Sequence, residues 1–207
     1  MFSIQAPFLD RILGYLEGKD EFVFLDTSNP DVENYRSVLF TDPVDRLVCH
    51  ARDDLQTYLD RLQQRIDGGY YLAGWVAYEF GSLLEAGLPR KETARDFSKE
   101  VLADFGVFLE PFHFDHRDGS EDFSQVVTNV VEGNIDFSIS ELRPNMKKDE
   151  FLEALNQVKE YIAAGDTYQV NYTLELLFEF EGSTSGLYRM LRRNQSVPYG
   201  AYIRNGN

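Results

Sequence analysis

The sequence is poor in the features that mark secreted and membrane-anchored proteins. Its 207 residues include one cysteine, Cys49, which excludes an internal disulfide and favours a reducing compartment, so we expect a cytoplasmic protein. The first residues lack a basic leading region followed by an unbroken apolar run, and no later stretch is long and apolar enough to cross a bilayer. We therefore expect neither a signal peptide nor a membrane partner.

Positive charge is also scarce in this chain. Its 20 Lys and Arg residues face 35 Asp and Glu residues, and the formal net charge of -15 repels phosphate backbones and anionic lipids. We therefore expect no nucleic-acid partner. A small anionic substrate would also be repelled at long range, so its site needs local Arg or Lys side chains or a metal ion. The sequence shows no clear cluster of that kind.

The residue patterns of common catalytic sites are absent. His113 and His116 lie three residues apart, and on a strand such residues point to opposite faces, which argues against a metal-binding pair. Cys49 and His50 are neighbours without a third group to orient them, so they form no nucleophile pattern. The isolated glycines do not assemble into a loop that would cradle phosphate groups. Residue patterns alone therefore assign no catalytic or metal-binding residue.

Aromatic and apolar residues are plentiful, and their spacing predicts a sheet-rich α+β fold. Aromatic residues make up 14% of the chain and apolar residues 43%. Apolar residues at helical spacing predict helices near 8–18, 52–66, 145–165 and 187–191. Extended runs predict strands near 22–28, 36–43, 44–50, 70–80, 104–116, 123–134, 167–181 and 198–204. Asn145 is expected to cap the third helix, and Gly165 to end it.

Two of these strands carry further expectations. The run 70–80 is apolar on both alternating faces, which predicts a central strand covered by helices or another sheet. Segment 167–181 alternates apolar with polar residues, which predicts a half-buried antiparallel strand. Its polar face would carry Gln169, Asn171 and Thr173, which either line a pocket or bond to solvent and neighbouring strands.

The last residues of the sequence carry a turn signal. Asn205 and Gly206 follow a predicted strand, and this dipeptide favours a hairpin because both residues accept the positive φ of a type I′ turn. No return strand follows, so we expect the natural protein to continue. The fragment would then expose a strand edge and apolar side chains, which predicts that it forms a homodimer.

Six segments together resemble one enzyme family. IAAGDTYQVNYT and LYRMLRRNQSVPYGAYI resemble the entry into the catalytic domain of the anthranilate synthase and aminodeoxychorismate synthase large subunits. Upstream, FLDTS and YYLAGWVAYEFGSLLE resemble the opening strand and the central strand of the same family. The segments RSVLFTDP and DFGVFLEPFHFDH are most similar to the aminodeoxychorismate synthase branch that is fused to a lyase. The resemblance covers nearly the whole chain.

The resemblance implies an anthranilate synthase component I-like α+β fold that is incomplete at the carboxyl terminus. Residues 1–140 would form the amino-terminal region, and 141–207 the truncated start of the chorismate-binding catalytic domain. In this family Mg²⁺ anchors the carboxylates of chorismate, and a glutamine amidotransferase partner supplies ammonia. The family motifs for the metal and the reaction lie beyond this sequence, so we expect no catalytic residue and no bound Mg²⁺ here, and we expect the fragment alone to be inactive.

The resemblance also implies a tryptophan pocket between the two ends of the chain. The positions that match this pocket are Leu25, Asp26, Thr27, Pro198, Tyr199 and Gly200. Two departures from the family pattern stand against it. Residues 26 and 27 are Asp-Thr where the family has Glu-Ser, and the segment at 194–198 lacks the first of two prolines. The alternative is that the same residues form only a packed interface.

Several functions remain open on the sequence. The leading hypothesis is aminodeoxychorismate synthase component I, which converts chorismate and ammonia to 4-amino-4-deoxychorismate for 4-aminobenzoate and folate synthesis. Anthranilate synthase component I is the alternative within the family. A stand-alone module that binds aromatic amino acids, or a scaffold that docks an amidotransferase, are the alternatives outside enzyme chemistry.

Overall fold

A computed structural model describes residues 2–85, 100–127 and 135–206. The chain divides into two compact units, one of residues 1–133 with 188–207 and the other of residues 134–187. The first unit is therefore discontinuous in sequence. The expected domain boundary near residue 140 stays a prediction.

The helices and strands follow the predicted order for most of the chain. In the first unit they are α1 (Ala6–Glu17), β1 (Glu21–Asp26), β2 (Arg36–Thr41), β3 (Asp45–His50), α2 (Leu55–Asp67), β4 (Tyr71–Val76), α3 (Gly81–Leu84), β5 (Val101–Phe108) and β6 (Phe112–Asp115). Then come β7 (Phe137–Pro144), α4 (Lys148–Ala164), β8 (Leu176–Gly182), α5 (Thr184–Asn194) and β9 (Gly200–Asn205). Every strand pair between these elements is antiparallel, so the chain is an α+β protein as predicted.

The first sheet joins the two ends of the chain. Its order is β6-β2-β1-β9, so β1 lies between β2 and the much later β9. Helix α1 covers one face of this sheet with four buried apolar side chains at helical spacing, and Gly18 ends it. The core on this face is Leu9, Ile12, Leu13, Leu16, Phe22, Phe24, Leu39, Phe114 and Phe123. Tyr188 and Tyr202 pack against the same core, which places the start of the returning chain on this face.

The second sheet has the order β3-β5-β4 and packs between α2 and the first sheet. Strand β4 has buried neighbours on both faces, as predicted, because Leu72 faces the core of α2 and Ala73 faces the first sheet. The expected central position is wrong among the described strands, where β4 pairs only with β5 and lies at the edge of the sheet. An apolar strand that is covered on both faces has the same sequence pattern at an edge as in the centre, so the pattern did not distinguish them.

The second unit contains a two-stranded sheet, in which β7 pairs with β8, and helix α4. The predicted strand over 167–181 is wrong in its first part, because only the residues from Leu176 onward form a strand. Alternation alone does not make a strand, since the backbone needs a partner, and the residues of β7 pair only with residues 176–182 among those described. The polar row Gln169, Asn171 and Thr173 is exposed and lines no strand face.

Two smaller predictions about local structure are also wrong. Residues Phe123–Gln125 form a short 3-10 helix where a strand was expected, and the rest of that predicted strand from residue 128 lies outside the described residues. Asn145 does not cap α4, because its backbone N–H and side-chain oxygen bond to Glu175 instead. The helix begins after Lys147, whose backbone N–H donates to the Glu150 carboxylate at 2.9 Å. Gly165 ends it in the left-handed conformation, as predicted.

A helix that crosses a bilayer must be both long and strongly apolar. No helix within residues 2–85, 100–127 and 135–206 meets both conditions.

Candidate functional site

A cleft of about 480 Å³ opens where the two ends of the chain meet in the first sheet. Antiparallel pairing sets Asp26 of β1 opposite Gly200 of β9, which brings residues 25–27 beside residues 198–200. The cleft is lined by Leu25, Asp26, Thr27, Glu33, Asn34, Tyr35, Arg36, Val38, Pro198, Tyr199, Gly200 and Ala201. The structure thus brings all six sequence-predicted pocket residues together at one surface.

The floor of the cleft is an apolar row across three strands. Leu25 is paired with Val38 of β2 on one side and with Ala201 of β9 on the other. Directly paired residues of an antiparallel sheet carry their side chains on the same face, so these three side chains lie side by side. Leu25 is 39% exposed, whereas its neighbours Phe24 and Asp26 point to the opposite face and are buried. The floor can therefore receive an apolar group.

One wall of the cleft is the segment 196–199, which we call the 196–199 wall. Its backbone is fixed to the end of β1, since the Val197 N–H donates to Ser28 Oγ at 2.9 Å and the Ser28 N–H donates to the Val197 carbonyl at 3.0 Å. Tyr199 is 79% exposed, so most of its ring is free to contact a ligand. Together the floor and Tyr199 supply apolar and aromatic surface of the kind that small-molecule pockets use.

The other side of the cleft carries charge. The Arg36 side chain is half exposed and approaches Asp115 at 3.5 Å, the limit for a hydrogen bond. Asp115 accepts the closer bond, 2.7 Å, from Arg117, and this guanidinium holds the pKa of Asp115 well below its usual range. The Arg117 guanidinium also lies 3.7 Å from the centre of the Tyr35 ring. Arg36 is thus a cation at the rim whose partner Asp115 is bound more closely by Arg117, and the exposed Glu33 lines the same cleft.

The polar groups of Asp26 and Thr27 form hydrogen bonds within the protein and are not presented to the cleft. Asp26 is 2% exposed and Thr27 is 5% exposed. Asp26 Oδ2 accepts hydrogen bonds from the Tyr188 hydroxyl at 2.9 Å and from Arg192 Nε. The Thr27 hydroxyl lies between two carbonyl oxygens, 2.8 Å from that of Arg36 and 3.0 Å from that of Pro198. These two side chains therefore support the cleft from beneath instead of presenting polar atoms to a ligand.

Beneath Asp26 lies a polar group that sequence reasoning missed. His116 and Ser37 are both fully buried, and His116 Nε2 lies 2.9 Å from Ser37 Oγ. Ser37 Oγ accepts the Thr27 N–H at 2.9 Å and approaches Asp26 Oδ1 at 3.3 Å. The pairing of β2 with β6 creates this contact, and a linear sequence gives no signal for that pairing. His113, three residues earlier, is only partly buried, and its backbone N–H donates to the Asp122 carboxylate.

Burial affects the protonation states of His116 and Tyr188. Desolvation lowers the pKa of His116, so the buried ring favours its neutral form. His116 Nδ1 lies 3.0 Å from the Phe2 carbonyl, which can only accept, so Nδ1 carries the proton and Nε2 accepts the Ser37 hydroxyl. Burial and the adjacent Asp26 carboxylate raise the pKa of Tyr188, which therefore donates to Asp26 as a neutral phenol.

The residues described here do not suit a bound Mg²⁺ ion. Across residues 2–85, 100–127 and 135–206 no three His, Cys, Asp or Glu side chains gather as metal ligands would. The Asp26 carboxylate already accepts bonds from Arg192 and Tyr188, so it is not free to serve as a ligand.

Comparison with known proteins places the chain in a family. The sequence profile of chorismate binding enzymes matches residues 20–207, nearly the whole chain. Aminodeoxychorismate synthase component 1 of Streptomyces lividans is 29% identical over 142 residues, which cover 63% of this chain and 30% of that protein. Anthranilate synthase component 1 of Aquifex aeolicus is 39% identical over 75 residues, which cover 36% of this chain and 15% of that protein.

A third relative, aminodeoxychorismate synthase component 1 of Klebsiella aerogenes, is 34% identical over 62 residues, which cover 30% of this chain and 14% of that protein. The matched segments thus span less than a third of the length of each of these relatives. The profile match extends from β1 to the end of β9 and so includes both sides of the cleft. The chain therefore belongs to the chorismate-binding enzyme family.

Proposed function

We propose that this chain is the amino-terminal portion of an aminodeoxychorismate synthase component 1 with an anthranilate synthase component 1-like fold. The enzyme would convert chorismate and ammonia to 4-amino-4-deoxychorismate for 4-aminobenzoate and folate synthesis. The observation that carries this proposal is the Streptomyces lividans match, which extends over 63% of the chain. The second candidate is anthranilate synthase component 1, which the higher identity of the shorter Aquifex aeolicus match favours.

The term component 1 in the names of these relatives implies a second component, and we propose that a glutamine amidotransferase supplies the ammonia. We also propose that the full-length enzyme uses Mg²⁺ to hold the chorismate carboxylates, which would offset the strong negative charge of this chain. Because the described residues do not form such a site, no step of the reaction is assigned to them.

The reaction is tested on the full-length protein incubated with chorismate, ammonium and Mg²⁺, with the products separated by chromatography and identified by mass. We expect 4-amino-4-deoxychorismate, which an added lyase converts to 4-aminobenzoate. Formation of anthranilate would support the second candidate and refute the first. The 207-residue chain alone, under the same conditions, should leave chorismate unconsumed, and turnover at an enzyme-like rate would contradict its assignment as a non-catalytic portion.

For the cleft, we propose that it binds an aromatic amino acid, with L-tryptophan as the ligand. The apolar row of Leu25, Val38 and Ala201 offers a surface for a ring, and the exposed ring of Tyr199 offers an aromatic contact. A cavity of about 480 Å³ lies within the usual size of small-molecule sites. At the rim, Arg36 provides a cation for the ligand carboxylate and completes a site suited to an amino acid.

Calorimetric titration of the chain with L-tryptophan tests this proposal. We expect saturable binding that Leu25→Ala and Tyr199→Ala each weaken roughly tenfold, since each removes apolar contact worth about 1.4 kcal/mol. The matched control is Leu109→Ala, which truncates an exposed leucine outside the cleft and should leave the Kd unchanged. Absence of saturable heat, or a Leu25→Ala variant that binds as tightly as the unaltered chain, would show that the residues form only a packed interface.

A further inference from the structure

A buried ion pair lies directly beneath the cleft and is not used by the proposed ligand contacts. The Arg192 side chain is 15% exposed and the Asp26 side chain is 1% exposed. Arg192 Nε donates to Asp26 Oδ2, and Arg192 Nη2 donates to Asp26 Oδ1 at 3.3 Å. Both oxygens of the Asp26 carboxylate thus accept hydrogen bonds from one guanidinium, and this two-point contact fixes the orientation of the Arg192 side chain as well as its distance from Asp26.

The pair joins the end of α5 to the central strand of the first sheet. Arg192 lies in the last turn of α5, and the Gln195 N–H still bonds to the Leu191 carbonyl, so the helix leads without a gap into the 196–199 wall. Asp26 is the last residue of β1, next to the floor residue Leu25. The ion pair therefore fixes the position of α5, which leads into the 196–199 wall, relative to β1, which carries the floor residue Leu25.

Tyr188 strengthens this attachment from the same face of the helix. It lies four residues before Arg192, one helical turn away, and its hydroxyl donates to the same Asp26 oxygen at 2.9 Å. Its ring stacks on Tyr202 of β9, with centroids 5.0 Å apart and planes at 15°. Two side chains of α5 thus grip one carboxylate, and this fixes the rotation of the last turns of the helix.

The position of Asp26 is itself fixed, because it ends β1 and is paired with Gly200 of β9. Ser37 Oγ packs 3.3 Å from Asp26 Oδ1 but donates its proton to His116. The sheet backbone therefore keeps the carboxylate from following a displaced helix. A shift of α5 would instead break the ion pair and move the 196–199 wall, whose Val197 backbone is bonded to the Ser28 hydroxyl and to the Ser28 N–H.

We infer that Arg192 is a positioning residue of the cleft, which acts through Asp26 to hold the 196–199 wall at the spacing that the amino acid ligand requires. This inference rests on the proposed ligand function of the cleft. Arg192 does not line the cleft, so it acts on the ligand through the wall. A lysine at this position would keep the charge but lose the planar fork, so Arg192→Lys should not restore the position of the wall.

The test uses a double variant that leaves no buried charge without a partner. Asp26→Asn with Arg192→Met removes both charges together and keeps the shape of residue 26 beneath the floor, so we expect it to fold. The Kd for L-tryptophan, measured by calorimetry, should rise about tenfold in this variant and in Arg192→Lys. The matched control is Asp104→Asn with Arg46→Met, which neutralises an ion pair of the second sheet outside the cleft and should leave the Kd unchanged.

A second measurement does not depend on the ligand. Hydrogen–deuterium exchange should be faster in the double variant at the amides of Val197, Ser28 and Asn29. Each of these amides donates a hydrogen bond that joins the 196–199 wall to the residues after β1. In the control variant their exchange should match that of the unaltered chain.

The outcomes separate the inference from the proposal that it rests on. If the unaltered chain binds L-tryptophan and the double variant binds it equally well, the positioning role is wrong and the ligand proposal stands. If the unaltered chain does not bind, the ligand proposal fails and the inference with it. If exchange at the three amides is unchanged by the double variant, the ion pair does not hold the wall, whatever the ligand. Weaker binding in the control to the same degree would assign the effect to general stability and overturn the inference.

Discussion

The buried imidazole of His116 should make the stability of the first unit depend on pH below about 6.5. Desolvation lowers the pKa of His116 in the folded chain, whereas the unfolded chain has the ordinary value near 6.5. As the pH falls below 6.5, His116 becomes protonated in the unfolded chain before it does in the folded chain. The stability that the neutral ring contributes is therefore complete above pH 6.5 and is lost as the pH falls toward the lower, folded-state pKa.

The size of the effect follows from proton linkage. One proton bound by the unfolded chain alone changes the free energy of unfolding by at most about 1.4 kcal/mol per pH unit. Between pH 7 and pH 5.5 the loss due to His116 is therefore at most about 1.3 kcal/mol, reached if the folded ring stays neutral throughout. Protonation in the folded state would place a hydrogen on Nε2, and the Ser37 hydroxyl would have to turn from His116 toward Asp26.

Urea unfolding at pH 7 and pH 5.5, followed by the fluorescence of the single tryptophan, Trp75, measures this difference. We expect His116→Gln to remove about 1 kcal/mol of the pH dependence, even though the variant is less stable at both pH values. The control is His113→Gln, which removes a ring that is 42% exposed and lies outside the buried cluster around Asp26, and it should keep the pH dependence of the unaltered chain. A His116→Gln variant whose stability falls with pH as steeply as that of the unaltered chain would refute the reasoning.

Three further predictions concern the second sheet and α2. Gly74→Ala should lower the free energy of unfolding, measured in urea, by about 2 kcal/mol, because an added Cβ would lie 1.9 Å from the backbone oxygen of Asp104. Gly81→Ala has open space at its Cβ and should change this free energy by less than about 1 kcal/mol. Equal effects of the two substitutions would contradict the close approach at Gly74. Arg46→Met should cost about 3 kcal/mol, since it leaves the buried Asp104 carboxylate without this partner. Arg65→Met should cost less than about 1 kcal/mol, because its partner Asp45 is 39% exposed whereas Asp104 is 3% exposed. Similar losses of unfolding free energy from the two variants would refute the distinction. Asp54→Ala should lower the Tm, because the Asp54 carboxylate accepts the Thr57 N–H at the start of α2. Hydrogen bonds from the side chain and the backbone of Thr57 lower the pKa of Asp54, so the contribution of Asp54 to stability is present above its ordinary pKa and is lost as the pH falls through the lowered value. A variant with the Tm and acid sensitivity of the unaltered chain would argue against the cap.

Local patterns were sufficient where a segment's own residues decide its structure. The apolar spacing of α1, α2 and α4 predicted three helices, and the glycines that follow them marked their ends. The same kind of reasoning failed over 167–175, where alternation indicated a strand but no described partner strand pairs with it. It also placed β4 in the centre of a sheet, because burial on two faces does not report how many neighbours a strand has.

The six cleft residues were found through the resemblance of short segments to a family, and pairing of β1 with β9 brings those segments together. The sequence predicted less well which of these six residues present polar atoms to a ligand and which support the cleft. Asp26 and Thr27 stand among the predicted ligand-binding positions, yet both are buried and their polar atoms bond to the protein. The residues that engage Asp26 were not selected, because Ser37 and Arg192 are distant from each other in sequence and have no pattern in common.

The sequence by itself determined the class of the protein, the helices and most strands, since these depend on composition and on apolar periods within a few residues. It also determined family membership, which rests on residues 20–207. Only the tertiary structure decided that β1 pairs with β9, that Leu25, Val38 and Ala201 form one floor, and that Arg192 and His116 meet around Asp26. These contacts join residues more than a hundred positions apart in several cases, and the free energy that selects them comes from packing and burial in the assembled fold.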